Sequence, residues 1–156
     1  GVFAGIKWPN DLLLGGKKLC GILTELSLDE GGRPQVILGI GLNLNTPPEA
    51  FSGELSRIAC SLYGETGQQT DGRLMLERLL WELDGMVERW EREGCFFWEE
   101  YRQLSLCRGR DVWVLAGGES RKAYALDINP DLSLQLRWAD GREEALFYGE
   151  LSLRLK

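Results

Sequence analysis

KWPND at residues 7–11 and GGKKLCGIL at residues 15–23 decide the fold at the start of this chain. Proline fixes φ, and Asn and Asp tolerate turn conformations, so residues 9–11 predict a turn. A Gly-Gly pair supports a primed two-residue turn, so Gly15 and Gly16 predict a β-hairpin. We therefore expect short apolar strands joined by two tight turns.

The pattern continues with a third strand and then changes to helix. A turn signal at residues 29–32 precedes an apolar run over residues 35–45, and three strands joined by tight turns predict an antiparallel meander. Apolar residues then recur at three- and four-residue spacing, which predicts a long amphipathic helix over residues 72–93. Shorter helices are expected over residues 55–63 and 95–104.

The last third of the chain has the pattern of a small all-β unit. Five short apolar runs follow residue 107, with a turn signal every eight to twelve residues, which predicts a small barrel or sandwich. We place a domain boundary between residues 106 and 107. The predicted class is α+β: a partial mixed or antiparallel sheet with helices, followed by a small β-barrel.

Composition excludes several functions. The net charge of −6 argues against a nucleic-acid-binding face, and no apolar run reaches the ~20 residues of a membrane span. The chain has no histidine, which excludes Ser-His-Asp and Cys-His catalysis. Its four cysteines form no Cys-x-x-Cys pair, so the usual zinc patterns are absent, and we expect free thiols in a reducing cytoplasm.

Three motifs together resemble the catalytic core of biotin protein ligases. They are Trp-Pro-Asn-Asp at residues 8–11, Lys-Leu-x-Gly-Ile-Leu at residues 18–23 and Gly-x-Gly-x-Asn at residues 39–43. The helix pair and the last five strands are similar to the C-terminal half of that family, whose SH3-like barrel ends in Gly-Glu-x-Ser. The resemblance implies a truncated class II synthetase-like ligase core over residues 1–106 and an SH3-like barrel over residues 107–156.

The resemblance implies a two-step reaction. Biotin is activated by ATP to biotinyl-5′-AMP with release of pyrophosphate, and the biotinyl group is then transferred to a lysine of a biotin carboxyl carrier protein. Biotin, ATP with Mg²⁺ and the carrier domain are the expected partners, with no tightly bound metal. Lipoate-attaching ligases have related chemistry and fold, but Lys-Trp-Pro-Asn-Asp and the terminal barrel favour the biotin branch.

The family's catalytic lysine falls on Lys18. An ammonium group in a water-poor pocket stabilises the approach of a carboxylate to a phosphate, two anions that otherwise repel. The alternative is an exposed hairpin lysine, and Lys17 is expected to be its solvated neighbour. Trp8 is interpreted as a core residue rather than a ligand-stacking one.

Three glycines are matched to the biotin pocket. Gly21 lies in the strand that walls the biotin ring in the family, where a missing side chain permits close approach of the backbone. Its alternative role is a bulge or a tight packing site. Gly39 and Gly41 resemble glycines whose backbone lines the same pocket.

Four residues are matched to the nucleotide. Asn10 and Asp11 correspond to the pair near the nucleotide and its magnesium, since Mg²⁺ favours one or two carboxylates plus phosphate oxygens. A structural Asx-turn is the alternative for both. Asn43 corresponds to an asparagine near the adenine, with a turn as its alternative, and Phe51 is expected to cover the adenine.

The predicted barrel contributes a possible interdomain or carrier contact. Glu150 and Arg154 fall where the family has a Glu and an Arg, and they are expected to form an ion pair there. The alternative is an exposed pair that contributes little to stability. Arg108-Gly109-Arg110 is interpreted as a boundary turn.

In the family, a Gly-x-Gly-Arg biotin loop should precede the Lys-Trp-Pro-Asn-Asp motif, and only six residues precede it here. We therefore expect the chain to be part of a longer or split enzyme, inactive or weakly active alone. Exposed strand edges and an apolar face would favour self-association or pairing with the missing N-terminal half. The alternative is a fragment that binds the carrier or dimerises without catalysis.

Overall fold

The computed structural model describes residues 1–116 and 118–152 and divides the chain into two compact units. The first unit consists of Gly1–Ala4 and Asn10–Gln69. The second consists of Gly5–Pro9, which contains the strand β1 (Gly5–Lys7), and the chain from Thr70 onward. The helices expected over residues 72–93 and 95–104 therefore group with the second unit, whereas the one expected over residues 55–63 falls in the first. The domain boundary between residues 106 and 107 stays a prediction.

The first unit contains the predicted antiparallel meander. Its strands are β2 (Asp11–Leu14), β3 (Lys17–Leu28) and β4 (Pro34–Leu42), with β3 paired to both neighbours. Gly15 and Gly16 have φ of 58° and 84°, the left-handed values of a primed hairpin turn. The prediction of a tight β2–β3 hairpin is therefore confirmed.

The helix expected over residues 55–63 is interrupted. The structure has α1 (Leu55–Ile58) and α2 (Leu62–Thr66), and Ala59 between them is extended. Ala59 forms a parallel bridge with Lys18, and the Cys60 amide donates to the Lys18 carbonyl over 3.0 Å. The prediction of one helix is wrong because this contact with β3 replaces the helical hydrogen bonds.

The core of the first unit is small. Leu14, Leu19 and Cys60 are buried together, and three partly buried residues pack on them: Ala4, Leu42 and Leu62. By contrast, the far ends of β3 and β4 leave large apolar side chains in solvent, with Leu26 78% and Val36 65% exposed. An exposed apolar surface of this kind marks a candidate contact with another protein surface.

Two helices precede the sheet of the second unit. They are α3 (Gly72–Glu93), whose bounds are those predicted, and α4 (Trp98–Leu104). The Asp71 carboxylate caps α3 by accepting hydrogen bonds from the Arg73 and Leu74 amides, which satisfies two donors at its start. Most of the apolar side chains along α3 remain exposed.

The second unit has a five-stranded antiparallel sheet in the order β8-β7-β6-β5-β9. The strand bounds are β5 (Arg110–Ala116), β6 (Glu119–Ile128), β7 (Leu134–Trp138), β8 (Glu143–Leu146) and β9 (Glu150–Ser152). The predicted α+β class with antiparallel sheets is therefore observed. Within residues 110–152, as far as they are described, no pairing between β8 and β9 closes this sheet into a barrel.

Trp8 anchors the core of the second unit. Its side chain is 2% exposed and packs with buried residues that include Cys107, Val112 and Leu134. Its indole Nε1 donates to the Leu132 carbonyl over 2.9 Å, which satisfies the one polar atom of the ring. The interpretation of Trp8 as a core residue agrees with this position.

Over the described ranges, none of the helices has both the length and the apolar character needed to cross a membrane.

Candidate functional site

A β-bulge sets the direction of Lys18. The β2–β3 register pairs Leu12 with Cys20 but Leu13 with Lys18, so Leu19 is an extra residue in β3. Strand side chains alternate between faces, and one extra residue reverses that alternation locally. Lys18 therefore lies on the same sheet face as Gly21, which a regular strand would place on the opposite face.

The bulge brings Lys18 to Asp11. The Lys18 Nζ lies 2.6 Å from Asp11 Oδ1, and Asp11 is the direct cross-strand partner of Gly21. The Lys18 side chain is 48% exposed, whereas that of Asp11 is 14% exposed. The ammonium group is thus held by a largely shielded carboxylate while one side of it remains open to a ligand.

Six of the predicted site residues line one open cavity of about 500 Å³. Asn10 and Asp11 come from the turn and β2, Lys18 and Gly21 from β3, and Gly39 and Gly41 from β4; Ile22, Leu23 and Ile40 complete the lining. The cavity thus combines one cation and one carboxylate with a glycine-rich pair of strands. An anionic ligand can bind the cation there and approach the strand backbone closely, because the glycines have no side chains.

Asn10 has a structural role in the same place. Its side-chain amide donates to the Ile22 carbonyl, and the Ile22 amide donates to the Asn10 carbonyl over 2.9 Å. These two hydrogen bonds tie the turn to β3 next to the bulge. The predicted contact of Asn10 with a nucleotide stays a prediction.

Asn43 and Phe51 do not line this cavity. The Asn43 side-chain amide donates to the Cys60 carbonyl over 3.0 Å, which ties the end of β4 to the segment before α2. Phe51 lines a second cavity of about 360 Å³ together with Lys17, Cys60 and Glu65. Phe51 and Lys18 therefore line different cavities. The nucleotide-binding roles of Asn43 and Phe51 stay predictions.

Lys17 points to the second cavity rather than to the first. Its Nζ donates to the Ser56 carbonyl over 3.0 Å. The two neighbouring lysines therefore serve different cavities. Lys17 consequently offers a matched control for any substitution of Lys18.

Two buried thiols lie near these cavities. Burial raises the pKa of Cys20, although the nearby Lys18 ammonium lowers it in part. Burial likewise raises the pKa of Cys60, whose Sγ donates weakly to the Leu14 and Lys17 carbonyls. Both thiols are therefore protonated at neutral pH and inert as nucleophiles.

The predicted contact between Glu150 and Arg154 is not described. Glu150 begins β9 in the second unit, and Arg154 lies outside the described residues. Across residues 1–116 and 118–152, no three His, Cys, Asp or Glu side chains cluster as metal ligands. A magnesium ion at Asp11 would therefore need oxygen ligands from a phosphate or from water.

The bulge and the Asp11–Lys18 pair were missed by sequence reasoning. A two-residue turn at Gly15 and Gly16 with regular pairing would place Asp11 opposite Cys20, not Gly21. No residue type marks the extra position, since Leu19 is an ordinary buried core residue. Only the tertiary structure therefore shows that the two charges meet.

Comparison with known protein families gives one match at the start of the chain. Residues 1–43 match the Biotin/lipoate A/B protein ligase family. This segment contains the turn, the bulged hairpin and the glycines of β4, and therefore all six predicted residues that line the first cavity.

Relatives match over most of the chain. The Bifunctional ligase/repressor BirA of Bacillus subtilis is 37% identical over 139 residues, which are 86% of this chain and 42% of BirA. The Biotin--[acetyl-CoA-carboxylase] ligase of Mycobacterium tuberculosis is 37% identical over 126 residues, 80% of this chain and 44% of that protein. The chain thus spans less than half the length of these relatives.

A solved structure has a similar fold. The biotin protein ligase from Aquifex aeolicus in complex with biotin and ATP superposes with a TM-score of 0.81 and 25% identity. The match covers 98% of this chain and 62% of that one. Sequence and structure comparisons therefore point to the same group of proteins.

Proposed function

We propose that this chain, a relative of biotin protein ligases, supplies the catalytic lysine of a biotin ligase. The proposed activity is ATP-dependent formation of biotinyl-5′-AMP, followed by transfer of the biotinyl group to a lysine of a carrier protein. One observation carries the proposal: Lys18 is held by Asp11 at a glycine-lined cavity in the segment that matches the ligase family.

Lys18 would act in the first step as a fixed cation. A biotin carboxylate oxygen bonds to the α-phosphorus of ATP, and pyrophosphate leaves as the bond to the β-phosphate oxygen breaks. The Lys18 ammonium would reduce repulsion between the two anions and stabilise the negative charge that develops on the phosphoryl oxygens. Its open side at the cavity leaves room for this contact.

Asp11 suits a role beside the triphosphate. A carboxylate together with phosphate oxygens and water is an appropriate ligand set for Mg²⁺. Bound magnesium would neutralise phosphate charge. Asp11 itself would hold Lys18 before the nucleotide arrives, since its Oδ1 already contacts the ammonium.

In the second step the amine of a carrier lysine attacks the acyl carbon of the adenylate. An amide forms, AMP leaves, and the amine loses its proton. Gly39 and Gly41 would allow the adenylate to lie close to β4, because neither glycine has a side chain to cover that strand. We assign residues 107–156 to the SH3-like domain of the ligases, and Glu150 and Arg154 to a carrier or interdomain contact.

A calorimetric titration with a non-hydrolysable biotinyl-adenylate analogue tests the proposal. We expect saturable binding that Lys18→Ala weakens about tenfold or more, because a hydrogen bond to a charged group contributes about 1.5–3 kcal/mol. Lys17→Ala is the matched control and should leave the affinity within a factor of about two. Equal losses in both variants, or no saturable heat with the unmodified chain, would contradict the proposal.

A second candidate function is an interaction module without catalysis. The exposed apolar residues of β3 and β4 favour it, because such surfaces mark contacts with another protein. A dimerising or carrier-binding fragment would bind its partner equally well after Lys18→Ala, which separates it from the ligase. Size measured against concentration, without an effect of biotin, would support this alternative.

A further inference from the structure

We propose that Gly21 is a positioning residue for Lys18: the missing side chain at position 21 is the space in which the Lys18 ammonium reaches Asp11. This inference deepens the proposed function and rests on it for the chemical role of Lys18. The resemblance to the ligases places Gly21 against a bound biotin ring, with a bulge or a tight packing site as the alternative; the present inference says which side chain is packed there.

The steric argument is direct. A Cβ atom on Gly21 would lie 2.8 Å from Lys18 Cε and 2.8 Å from Lys18 Nζ. It would lie 3.4 Å from Asp11 Oδ1. Carbon atoms pack at about 3.5–4.0 Å, so the lysine end and a methyl group cannot occupy this place together.

The backbone supplies no other reason for glycine at this position. Gly21 is not among the glycines with positive φ, and it lies in regular register between Asp11 on β2 and Gly41 on β4. An alanine would therefore fit the backbone conformation. What it would displace is the flexible end of Lys18, not the strand.

The displacement matters because Lys18 has many alternative conformations. A lysine side chain carries large rotamer entropy, and a held ammonium reduces the ordering that ligand binding must otherwise impose. The bulge at Leu19, the gap at Gly21 and the carboxylate of Asp11 together confine this side chain. Gly21 thus acts on a ligand through Lys18.

Gly39 provides a matched control in the same cavity. A Cβ there would meet only the Leu23 carbonyl at 3.7 Å and Leu23 Cβ at 3.8 Å among the nearest atoms, which are ordinary contacts. Gly39 also lies in the same sheet, opposite Leu23. An alanine at position 39 therefore tests strand and cavity effects without touching Lys18.

NMR of the chain labelled with ¹³Cε-lysine measures the effect without any ligand. A held Lys18 shows two separate Hε resonances, and a mobile one shows a single averaged resonance. We expect Gly21→Ala and Asp11→Asn to cause loss of the Lys18 splitting, and Gly39→Ala to retain it. A splitting that survives Gly21→Ala, or that Gly39→Ala also abolishes, would overturn the proposal.

A double-mutant cycle covers the case in which Gly21→Ala is poorly folded. If Gly21→Ala lowers the urea midpoint, we expect the same change to lower it much less in a Lys18→Ala background, where the clash is absent. A fall of equal size in both backgrounds would overturn the proposal. Neither measurement uses biotin or ATP. A failed calorimetric titration would therefore contradict the proposed function, whereas the positioning of Lys18 by Gly21 would still be tested by NMR and by urea unfolding.

Discussion

Trp8 and Lys18 differ in how far the residue type alone predicts the position of the side chain. Trp8 and Lys18 belong to the same ligase-like sequence, yet Trp8 is buried in the second unit while Lys18 lies at an open cavity of the first. The large apolar area of an indole makes its burial predictable from residue type alone. The direction of a lysine near a hairpin is decided by its neighbours, here Asp11 and Gly21.

Trp8→Ala should destabilise the second unit by about 3–5 kcal/mol, because it removes a fully buried ring and leaves a cavity. Trp8→Phe should cost less, since most of the packing remains and mainly the bond to Leu132 is lost. Urea unfolding followed by fluorescence and circular dichroism measures both. Trp90→Ala, at a position 56% exposed on α3, is the control and should change stability by less than about 1 kcal/mol. A Trp8→Ala effect no larger than that of the control would contradict this assignment.

At the scale of single elements, glycines have opposite effects in different places. Gly16 has φ of 84° in the β2–β3 turn, a conformation that other residues adopt at a cost. Gly85 lies inside α3, and a Cβ there would meet nothing within 4 Å. Gly16 therefore stabilises the hairpin turn, whereas Gly85 destabilises the helix α3 relative to an alanine.

Gly16→Ala should lower stability by roughly 1–2 kcal/mol through left-handed strain. Gly85→Ala should raise helix stability by about 0.8–1 kcal/mol, since alanine loses less backbone entropy. Thermal unfolding followed by circular dichroism measures both changes in otherwise identical chains. Shifts of the same sign would contradict the opposite roles assigned to these two glycines.

At the scale of the whole molecule, ion pairs connect helix and sheet within the second unit. Arg102 of α4 holds Asp127 of β6 through two hydrogen bonds of 2.8 and 2.7 Å. These hydrogen bonds lower the pKa of Asp127, although partial burial opposes the shift. A carboxyl with a lowered folded pKa stabilises the fold above its unfolded pKa, and the contribution is lost as pH falls through the folded value.

Asp127→Asn should therefore reduce the urea midpoint at neutral pH. The difference from the unmodified chain should shrink as pH falls below about 3.9, the ordinary pKa of an aspartate, because the unfolded carboxyl then takes up a proton. It should vanish once pH has passed the lowered folded pKa, where the native carboxylate is protonated as well. Asp84→Asn at an exposed position of α3 is the control. A difference that stays constant down to acid pH would show that the charge of Asp127 is not the cause.

The exposed face of β3 and β4 predicts self-association of the chain. Register places Leu26 beside Val36 on one face, and both are largely exposed. Burial of apolar area contributes about 25 cal/mol per Å², so two such faces should attract each other. Sedimentation velocity should show larger species at high concentration, and the double variant Leu26→Gln/Val36→Thr should shift them to monomer. A monomer at every concentration would contradict the prediction.

The sequence by itself determined the local elements and the group of relatives. Gly15-Gly16 specified the hairpin, the apolar spacing specified α3 to its ends, and the ligase-like motifs identified the segment that matches the family. These features depend on φ preferences and on periodicities of two or 3.6 residues, which are properties of neighbouring residues along the chain.

The tertiary structure alone decided which charges meet. The bulge at Leu19 shifts the partner of Asp11 from Cys20 to Gly21, and Ala59 leaves the expected helix to bridge Lys18. The tertiary structure also decided that Phe51 lines a cavity with Lys17 and not the cavity of Lys18. Register shifts and such distant contacts depend on the packing of whole strands, because one extra residue reverses every side chain beyond it and no single residue type announces it.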